Sequence, residues 1–258
     1  MALLSLSCFL INNTMMQKNN ILIYFITAVF GVFFIGCMLS SCGKTNTVLP
    51  AASNIQYQVL NLSPDLLPVD LYIDVTKFNT NSFTYPNPSG YFSLTSVDTP
   101  FQIRASSTVV STTNILSIDT LLKNNVNYTL FITGYRNPTN TTDGVTYILT
   151  RDTSALPTAG RGKVRFVNAT PDAGPFDIFA NGTLAFGNRA YKSVSAFIEF
   201  PVGNYDFRAI PTGATATNIL ADLPAITVQD GKLYTLYCRG IVGRTDSAAF
   251  GLAILNNN

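Results

Sequence analysis

Apolar and polar residues alternate in short segments over most of the chain beyond residue 53. Alternation with a period of two is typical of strands that bury one face. The positions predicted to face a core in the second half are Val164, Phe166, Phe176, Ile178, Ile198, Phe200, Tyr205, Phe207, Tyr234, Leu236 and Cys238. Turn-forming pairs separate these segments, namely Asn181-Gly182, Gly203-Asn204 and Asp230-Gly231.

The pattern of strands occurs twice. Tyr57–Asp65 aligns with Val164–Asp172. The same register aligns Asp70 with Asp177 and Tyr72 with Phe179. Three later segments align as well: Phe101–Ala105 with Tyr205–Ala209, Asn114–Leu116 with Asn218–Leu220, and Tyr128–Gly134 with Tyr234–Gly240. The body is therefore predicted to be a tandem duplication.

About seven short strands in each repeat predict an all-β fold with two tandem β-sandwich domains. The preferred interpretation is an immunoglobulin-like sandwich, and a transthyretin-like sandwich is the alternative. The expected division is 1–41 signal peptide, 42–53 lipidated N-terminus and tether, 54–154 repeat 1, 155–161 linker and 162–258 repeat 2.

The first forty residues have the features of a signal peptide. Lys18 precedes an uncharged apolar run from Ile21 to Leu39, and small residues follow. The sequence Leu39-Ser40-Ser41-Cys42 resembles a lipobox, in which the cysteine is acylated and becomes the new N-terminus. An uncleaved membrane anchor and a weaker lipobox ending at Cys37 are the alternatives, and Met15 or Met16 is a plausible start.

Composition narrows the possible functions. The chain has a net charge of +2 with 12% charged residues, and its lysines and arginines are scattered, so no nucleic-acid partner is expected. The chain contains no histidine, which excludes His-based triads and His metal ligands. Glu199 is the single glutamate, and the aspartates mostly fall in predicted turns. We therefore expect no enzymatic activity, no metal and no cofactor.

Three segments of repeat 2 carry a family resemblance: Val164–Ala173, Phe176–Gly182 and Pro201–Arg208. They resemble domain-of-unknown-function family 4397 of bacterial cell-envelope lipoproteins. The first copy matches more loosely, because it lacks the Asn-Gly turn and carries a longer Asn/Pro-rich segment. The resemblance implies an envelope lipoprotein built from β-sandwich modules, and it brings no catalytic residue or ligand to transfer.

One candidate binding strip follows from the strand pattern. Its residues alternate with apolar positions and should share the outer faces of the two sandwiches: Asp70, Tyr72, Arg104, Asp177, Phe179 and Arg208. They could present a repeated aromatic and charged surface. The alternative is a solvated sheet face with cross-strand Asp/Arg pairs, each contributing at most about 1 kcal/mol.

Two further features have a structural and a chemical interpretation. The repeated turns Asn61–Asp65 and Asn168–Asp172 could offer oxygen ligands to Ca²⁺, but side chains capping a proline turn are the preferred explanation. Cys238 could be a reactive thiol, but it aligns with Ile132, so a buried core position is preferred.

The expected function is that of a lipoprotein whose lipid on Cys42 inserts in the membrane. The body would serve as a non-catalytic binding or adhesion module for an envelope protein or a glycan. A structural spacer is the alternative, and a carboxylate-dependent hydrolase is less favoured. The expected location is the bacterial cell envelope, at the outer membrane, facing the periplasm or the cell surface.

Overall fold

The computed structural model describes residues 54–73, 75–94, 100–106, 114–138 and 143–257. Repeat 1 contains β1 (Ile55–Asn61), β2 (Val69–Ile73), β3 (Thr76–Lys77), β4 (Phe92–Leu94), β5 (Phe101–Ala105), β6 (Asn114–Ile118), β7 (Asn127–Thr133) and β8 (Thr146–Arg151). Repeat 2 contains β9 (Arg161–Asn168), β10 (Phe176–Ala180), β11 (Thr183–Arg189), β12 (Ile198–Pro201), β13 (Gly203–Pro211), β14 (Ala221–Val228), β15 (Leu233–Arg239) and β16 (Gly251–Asn256). The predicted signal peptide, Cys42 and the tether lie outside the described residues. No helix within these ranges is long and apolar enough to cross a membrane.

The two repeats have the same strand order. Repeat 1 forms the sheets β4-β1-β7-β8 and β3-β2-β5-β6, and repeat 2 forms β12-β9-β15-β16 and β11-β10-β13-β14. One pair in each repeat is parallel, β1 with β7 and β9 with β15, and the other pairs are antiparallel. The all-β class and the two sandwich domains predicted from the sequence are therefore confirmed.

The strand order distinguishes between the two predicted kinds of sandwich. Lettered A to H in chain order, each repeat has one sheet ordered DAGH and one ordered CBEF. An immunoglobulin constant-type domain has seven strands, divided into ABED and CFG. The observed order differs from that immunoglobulin arrangement, so of the two predicted kinds of sandwich the transthyretin-like alternative remains.

Each sandwich encloses its own core. In repeat 1, alternate residues of β1, Ile55, Tyr57 and Val59, are fully buried between the sheets. In repeat 2 the core includes Phe166, Phe207 and the other predicted inward positions apart from Ile198, which is exposed although the sequence predicts it inside. Burial of each such large side chain contributes about 1.5–3 kcal/mol, so each repeat has a substantial core of its own.

A third apolar cluster joins the repeats. It is formed by the opposite face of the two DAGH sheets and contains Leu60, Leu62, Phe131, Ile148, Val167, Ala169, Tyr237 and Leu255. β1 and β15 are therefore buried on both faces, which explains why their burial is almost continuous instead of alternating. Both repeats belong to one compact unit.

A buried ion pair lies beside this apolar cluster. Arg165 of β9 donates hydrogen bonds to Asp152 and to the carbonyl of Arg151, the latter over 2.6 Å. Asp152 also accepts hydroxyl bonds from Thr129 and Tyr91, each over 2.6 Å. Burial lowers the pKa of Arg165, and the neighbouring Asp152 carboxylate acts in the opposite direction. The pair therefore depends on its mutual contact, because neither charge reaches bulk water.

Candidate binding surfaces

The predicted strip in repeat 1 lies on the outer face of the CBEF sheet, as expected, but its three residues are buried. Asp70 on β2 is opposite Arg104 on β5, and Tyr72 lies two residues further along the same face. Their exposed fractions are 1%, 8% and 6%. This corrects the sequence interpretation, since a binding strip requires accessible side chains.

Local partners hold these three side chains in place. Arg104 lies over the Tyr72 ring with its guanidinium carbon 4.3 Å from the ring centroid. It donates hydrogen bonds to Gln102 over 2.6 Å and to Asn114 over 2.8 Å. The cluster is a packed polar layer, and its arginine is held by neighbours on its own sheet.

Asp70 also contacts polar side chains of neighbouring residues. Lys77 Nζ lies 2.9 Å from its carboxylate, and Asn79 Nδ2 donates to it over 2.9 Å. Burial alone would raise the pKa of Asp70. The hydrogen bonds from Lys77, Ser82 and Asn79, together with the charge of Lys77, bring it below its ordinary value. Asp70 is therefore a charged structural residue.

The corresponding strip in repeat 2 is half-buried and arranged differently. Asp177 accepts bonds from the Asn188 amide over 2.7 Å and from Thr212 Oγ1 over 2.9 Å. Arg208 is opposite Phe179 on the neighbouring strand and forms an ion pair with Asp222 at 3.5 Å. These side chains remain accessible in part, so this half of the predicted strip is a possible contact surface.

Strand pairing shows that the sequence alignment of the two repeats is displaced by two residues on one strand. Asp70 is opposite Arg104, whereas Asp177, its equivalent, is opposite Ile210. The structural equivalent of Arg104 is therefore Ile210, and Arg208 corresponds to Gln102. A slip of two residues keeps every side chain on its own face, so the alternation of apolar residues could not reveal it.

The repeated Asn-x-Ser/Thr-Pro-Asp turns have the predicted structural role. Asn61 Oδ1 accepts the amide of Ser63 over 3.2 Å, and Asn168 Oδ1 accepts the amide of Thr170 over 3.0 Å. Each asparagine thus caps its own turn after β1 or β9. Among the described residues, no group of three His, Cys, Asp or Glu side chains is placed to hold a metal ion.

Glycines after β7 and β15 set the course of the loops at the same end. Gly134 and Gly240 have φ angles of +91° and +80°, and an added Cβ would lie 2.2 Å from a carbonyl oxygen of Gly144 or Ala249. The loop after each strand therefore turns back closely on itself. We call this end of the body the loop end.

The loop ends of the two repeats meet. Thr133, the last residue of β7, donates to the carbonyl of Ala169, just after β9, over 2.6 Å. At the opposite end of the same strands, Asn127 donates to the carbonyl of Asn257 over 3.4 Å. β1, β7, β9 and β15 therefore run in the same direction, and both sets of loops are brought to one surface.

Three half-buried tyrosines lie at this surface: Tyr85, Tyr135 and Tyr191, which we call the tyrosine cluster. The Tyr191 hydroxyl lies 3.4 Å from Thr133 Oγ1, across the boundary between the repeats. Arg244 of repeat 2 interacts electrostatically with both Tyr135 and Tyr85 of repeat 1. The cluster therefore draws on loops from both repeats.

A comparison with known protein families finds a match in both repeats. A family model described as a domain of unknown function (DUF4397) matches residues 56–178 and, again, residues 162–258. The chain belongs to the DUF4397 family. The two matches begin in β1 and in β9, so both sandwiches are part of the DUF4397 region. No curated protein matches the chain.

Two tyrosines of the cluster in this DUF4397 protein, Tyr135 and Tyr191, have raised pKa values. Burial raises the pKa of Tyr135, and the carboxylates of Asp172, Asp143 and Asp65 raise it further. Burial also raises the pKa of Tyr191. The Tyr135 and Tyr191 hydroxyls therefore remain neutral hydrogen-bond donors, while Arg244 supplies a positive charge beside the cluster. Sequence reasoning missed the cluster because its members come from three irregular loops without a shared period.

A pocket flanks Tyr85 in the loop between β3 and β4. Its volume is about 210 Å³, and it is lined by Asn81, Ser82, Phe83, Thr84, Asn87, Pro88 and Ser89. The lining mixes Asn, Ser and Thr side chains with the apolar Phe83 and Pro88, and the loop contains the Asn/Pro-rich segment in which the first DUF4397 copy differs from the second. The loop thus adds a concavity of mixed polarity beside the aromatic surface.

Cys238 is a core residue of repeat 2, as the repeat alignment predicts. Its side chain is fully buried, and its Sγ lies 3.0 Å from Asn168 Oδ1. Burial raises the pKa of its thiol to about 12. A thiol that is buried and protonated at neutral pH is a poor nucleophile, so Cys238 is not a candidate for chemistry.

Proposed function

We propose that this protein is a bacterial cell-envelope lipoprotein, held at the outer membrane by lipid on Cys42, whose sandwiches form a non-catalytic binding module. Its partner is an envelope protein or a glycan. The lipobox-like segment and the family resemblance support the anchor. The paired sandwiches, with their loops gathered at one end, support the binding role.

The observation that carries the binding role is the tyrosine cluster. Tyrosine and arginine are enriched among the residues that dominate binding energy, because a rigid aromatic ring offers a large contact area and a polar tip. Tyr85, Tyr135 and Tyr191 are half-buried, the pKa values of Tyr135 and Tyr191 are raised so that their hydroxyls stay protonated, and Arg244 lies beside the cluster. The same groups suit stacking on a sugar ring or packing against a protein side chain.

Matched variants can test this role. The purified protein is screened on a glycan array and against envelope extracts, and each hit is then titrated with Y85A/Y135A/Y191A and with F179A/R208A. We expect the first variant to weaken binding at least about tenfold, since loss of one hot-spot contact costs 1.4 kcal/mol or more. The second alters the remaining predicted strip and should have little effect. Loss confined to F179A/R208A would assign binding to the strip instead.

A spacer is the second candidate, and the inter-repeat interface favours it. The apolar cluster and the Arg165–Asp152 pair join the sandwiches without a flexible hinge between their DAGH sheets. Such a body could hold a partner at a fixed distance from the membrane. If the tyrosine variant retains all activity in cells while shortening the body abolishes it, the spacer function is supported over the binding function.

A further inference from the structure

We propose that the end of the body opposite the loop end rests on the lipid bilayer, with Leu121 and Leu156 in contact with the membrane interface. This inference rests on the proposed lipid anchor and deepens it. It assigns a second, non-covalent contact to the folded domains. The partner is an anionic lipid surface.

The chain enters the folded body at this end, which we call the tether end. The carbonyl of Asn54, one residue before β1, accepts the amide of Asn125 over 3.1 Å. Asn125 precedes β7, and β1 and β7 run parallel, so the loop containing Leu121 lies at the start of both strands. Leu156 lies between the end of β8 and the start of β9, at the same end.

These two leucines are unusually exposed. Leu121 and Leu156 are 76% and 77% accessible, whereas Leu67 and Val242 at the loop end are 59% and 41% accessible. Leu122, next to Leu121, is buried in the core of repeat 1, so the loop is fixed while Leu121 points outward. Two leucines exposed at one end of the body suit insertion among lipid headgroups.

The charges around the leucines favour an anionic surface. Lys123, Lys163 and Lys232 lie in the loops and strand starts of this end. Asp119 is an exposed carboxylate in the same loop as Leu121, and two further carboxylates at this end accept backbone amides. Asp230 accepts the amide of Gly160 over 2.8 Å, and Glu199 accepts the amide of Thr158 over 3.1 Å. Basic groups close to an anionic membrane surface are attracted to it.

The tether limits the distance between this end and the membrane. Eleven residues lie between Cys42 and Asn54, and the fully extended chain from one to the other spans at most about 43 Å. A body held so close experiences a high effective concentration of lipid surface, so a weak contact suffices to orient it. The orientation would present the tyrosine cluster away from the bilayer.

Site-specific fluorescence tests this contact in the full-length lipidated protein. L121C, L156C and, as the control at the loop end, V242C are labelled with an environment-sensitive dye, while the buried Cys238 remains unlabelled. The labelled proteins are reconstituted in phosphatidylethanolamine/phosphatidylglycerol vesicles that contain a headgroup quencher. We expect loss of fluorescence at positions 121 and 156 and none at 242.

The outcomes separate this contact from the anchor. Mass spectrometry of the mature N-terminus is measured first, and absence of lipid on Cys42 would overturn the anchor and the contact together. Lipidated protein that shows equal quenching at all three positions would overturn the contact alone. Quenching at 121 and 156 that is reduced when phosphatidylglycerol is left out would support the proposed anionic partner.

Discussion

The two repeats contribute equivalent positions but different charges to their shared interface. Gln58 on β1 corresponds to Arg165 on β9, and Asp152 after β8 corresponds to Asn257 after β16. One arginine and one carboxylate therefore meet, and their counterparts are neutral. Two copies of repeat 2 packed in the same way would bury two arginines without a carboxylate. Pairing of unlike repeats is thus favoured by a single buried ion pair.

The largest expected effect comes from removing one charge of this pair. Asp152→Ala leaves Arg165 buried without its partner, so we expect a loss of about 3–5 kcal/mol in the free energy of unfolding. Urea denaturation followed by circular dichroism measures it. Arg165→Met should cost less, because Asp152 keeps its bonds from Tyr91 and Thr129.

The neutral counterparts provide the control for this prediction. Gln58→Met alters the equivalent position in repeat 1 and should cost less than about 1 kcal/mol, because no charge is stranded. The double variant D152A/R165M should recover part of the loss of D152A. If Gln58→Met costs as much as Asp152→Ala, the ion pair has no special role at the interface.

The second prediction concerns a feature that the repeats share. Gly134→Ala and Gly240→Ala should each cost about 3 kcal/mol, since both glycines combine a positive φ with a Cβ position that overlaps a backbone oxygen. Gly182→Ala is the control, because its φ is also positive but its Cβ position is open, and we expect about 1 kcal/mol. Thermal unfolding compares the three. Equal losses would mean that the backbone angle matters and the close approach does not.

The third prediction concerns the outer face of repeat 1. The pKa of Asp70 lies below its ordinary value in the folded protein, so its contribution is complete above the unfolded pKa of about 3.9 and is lost as the pH falls through the folded value. Asp70→Asn should therefore lower stability by about 1–2 kcal/mol at neutral pH and flatten the acid side of the stability profile. Lys77→Met should reduce the same pH dependence, by less, because Lys77 is partly exposed. An unchanged acid limb in Asp70→Asn would contradict this assignment.

The sequence predicted the features that depend on local pattern. Alternating residues such as Phe166 and Phe207 identified the cores, and Asn181-Gly182 identified a hairpin turn, which the φ angles of +48° and +81° confirm. Asn61 and Asn168 were predicted to cap turns, and in the structure each side chain accepts a backbone amide of its own turn. These features need no knowledge of distant contacts.

Features that depend on distant contacts were missed. Leu60 and Phe131 are apolar at positions facing away from their own core, which signals a second buried face, but the alternation alone does not say what covers it. The environment of Asp70 likewise depends on Lys77 of β3 and on Asn79 in the loop after it, which the alternation of β2 does not reveal. The two-residue slip between Arg104 and Arg208 is invisible to a period of two.

The smallest expected effect lies on the outer face of repeat 2. Arg208 and Asp222 are both about four-tenths exposed and 3.5 Å apart, so water and salt screen their attraction. A double-mutant cycle of Arg208→Met and Asp222→Asn should give a coupling below about 0.5 kcal/mol that vanishes in high salt. The same cycle on Asp70 and Lys77 should give a larger coupling that resists salt, because Asp70 is buried. Equal couplings would contradict the assignment of a buried Asp70 in repeat 1 and of a solvent-screened pair in repeat 2.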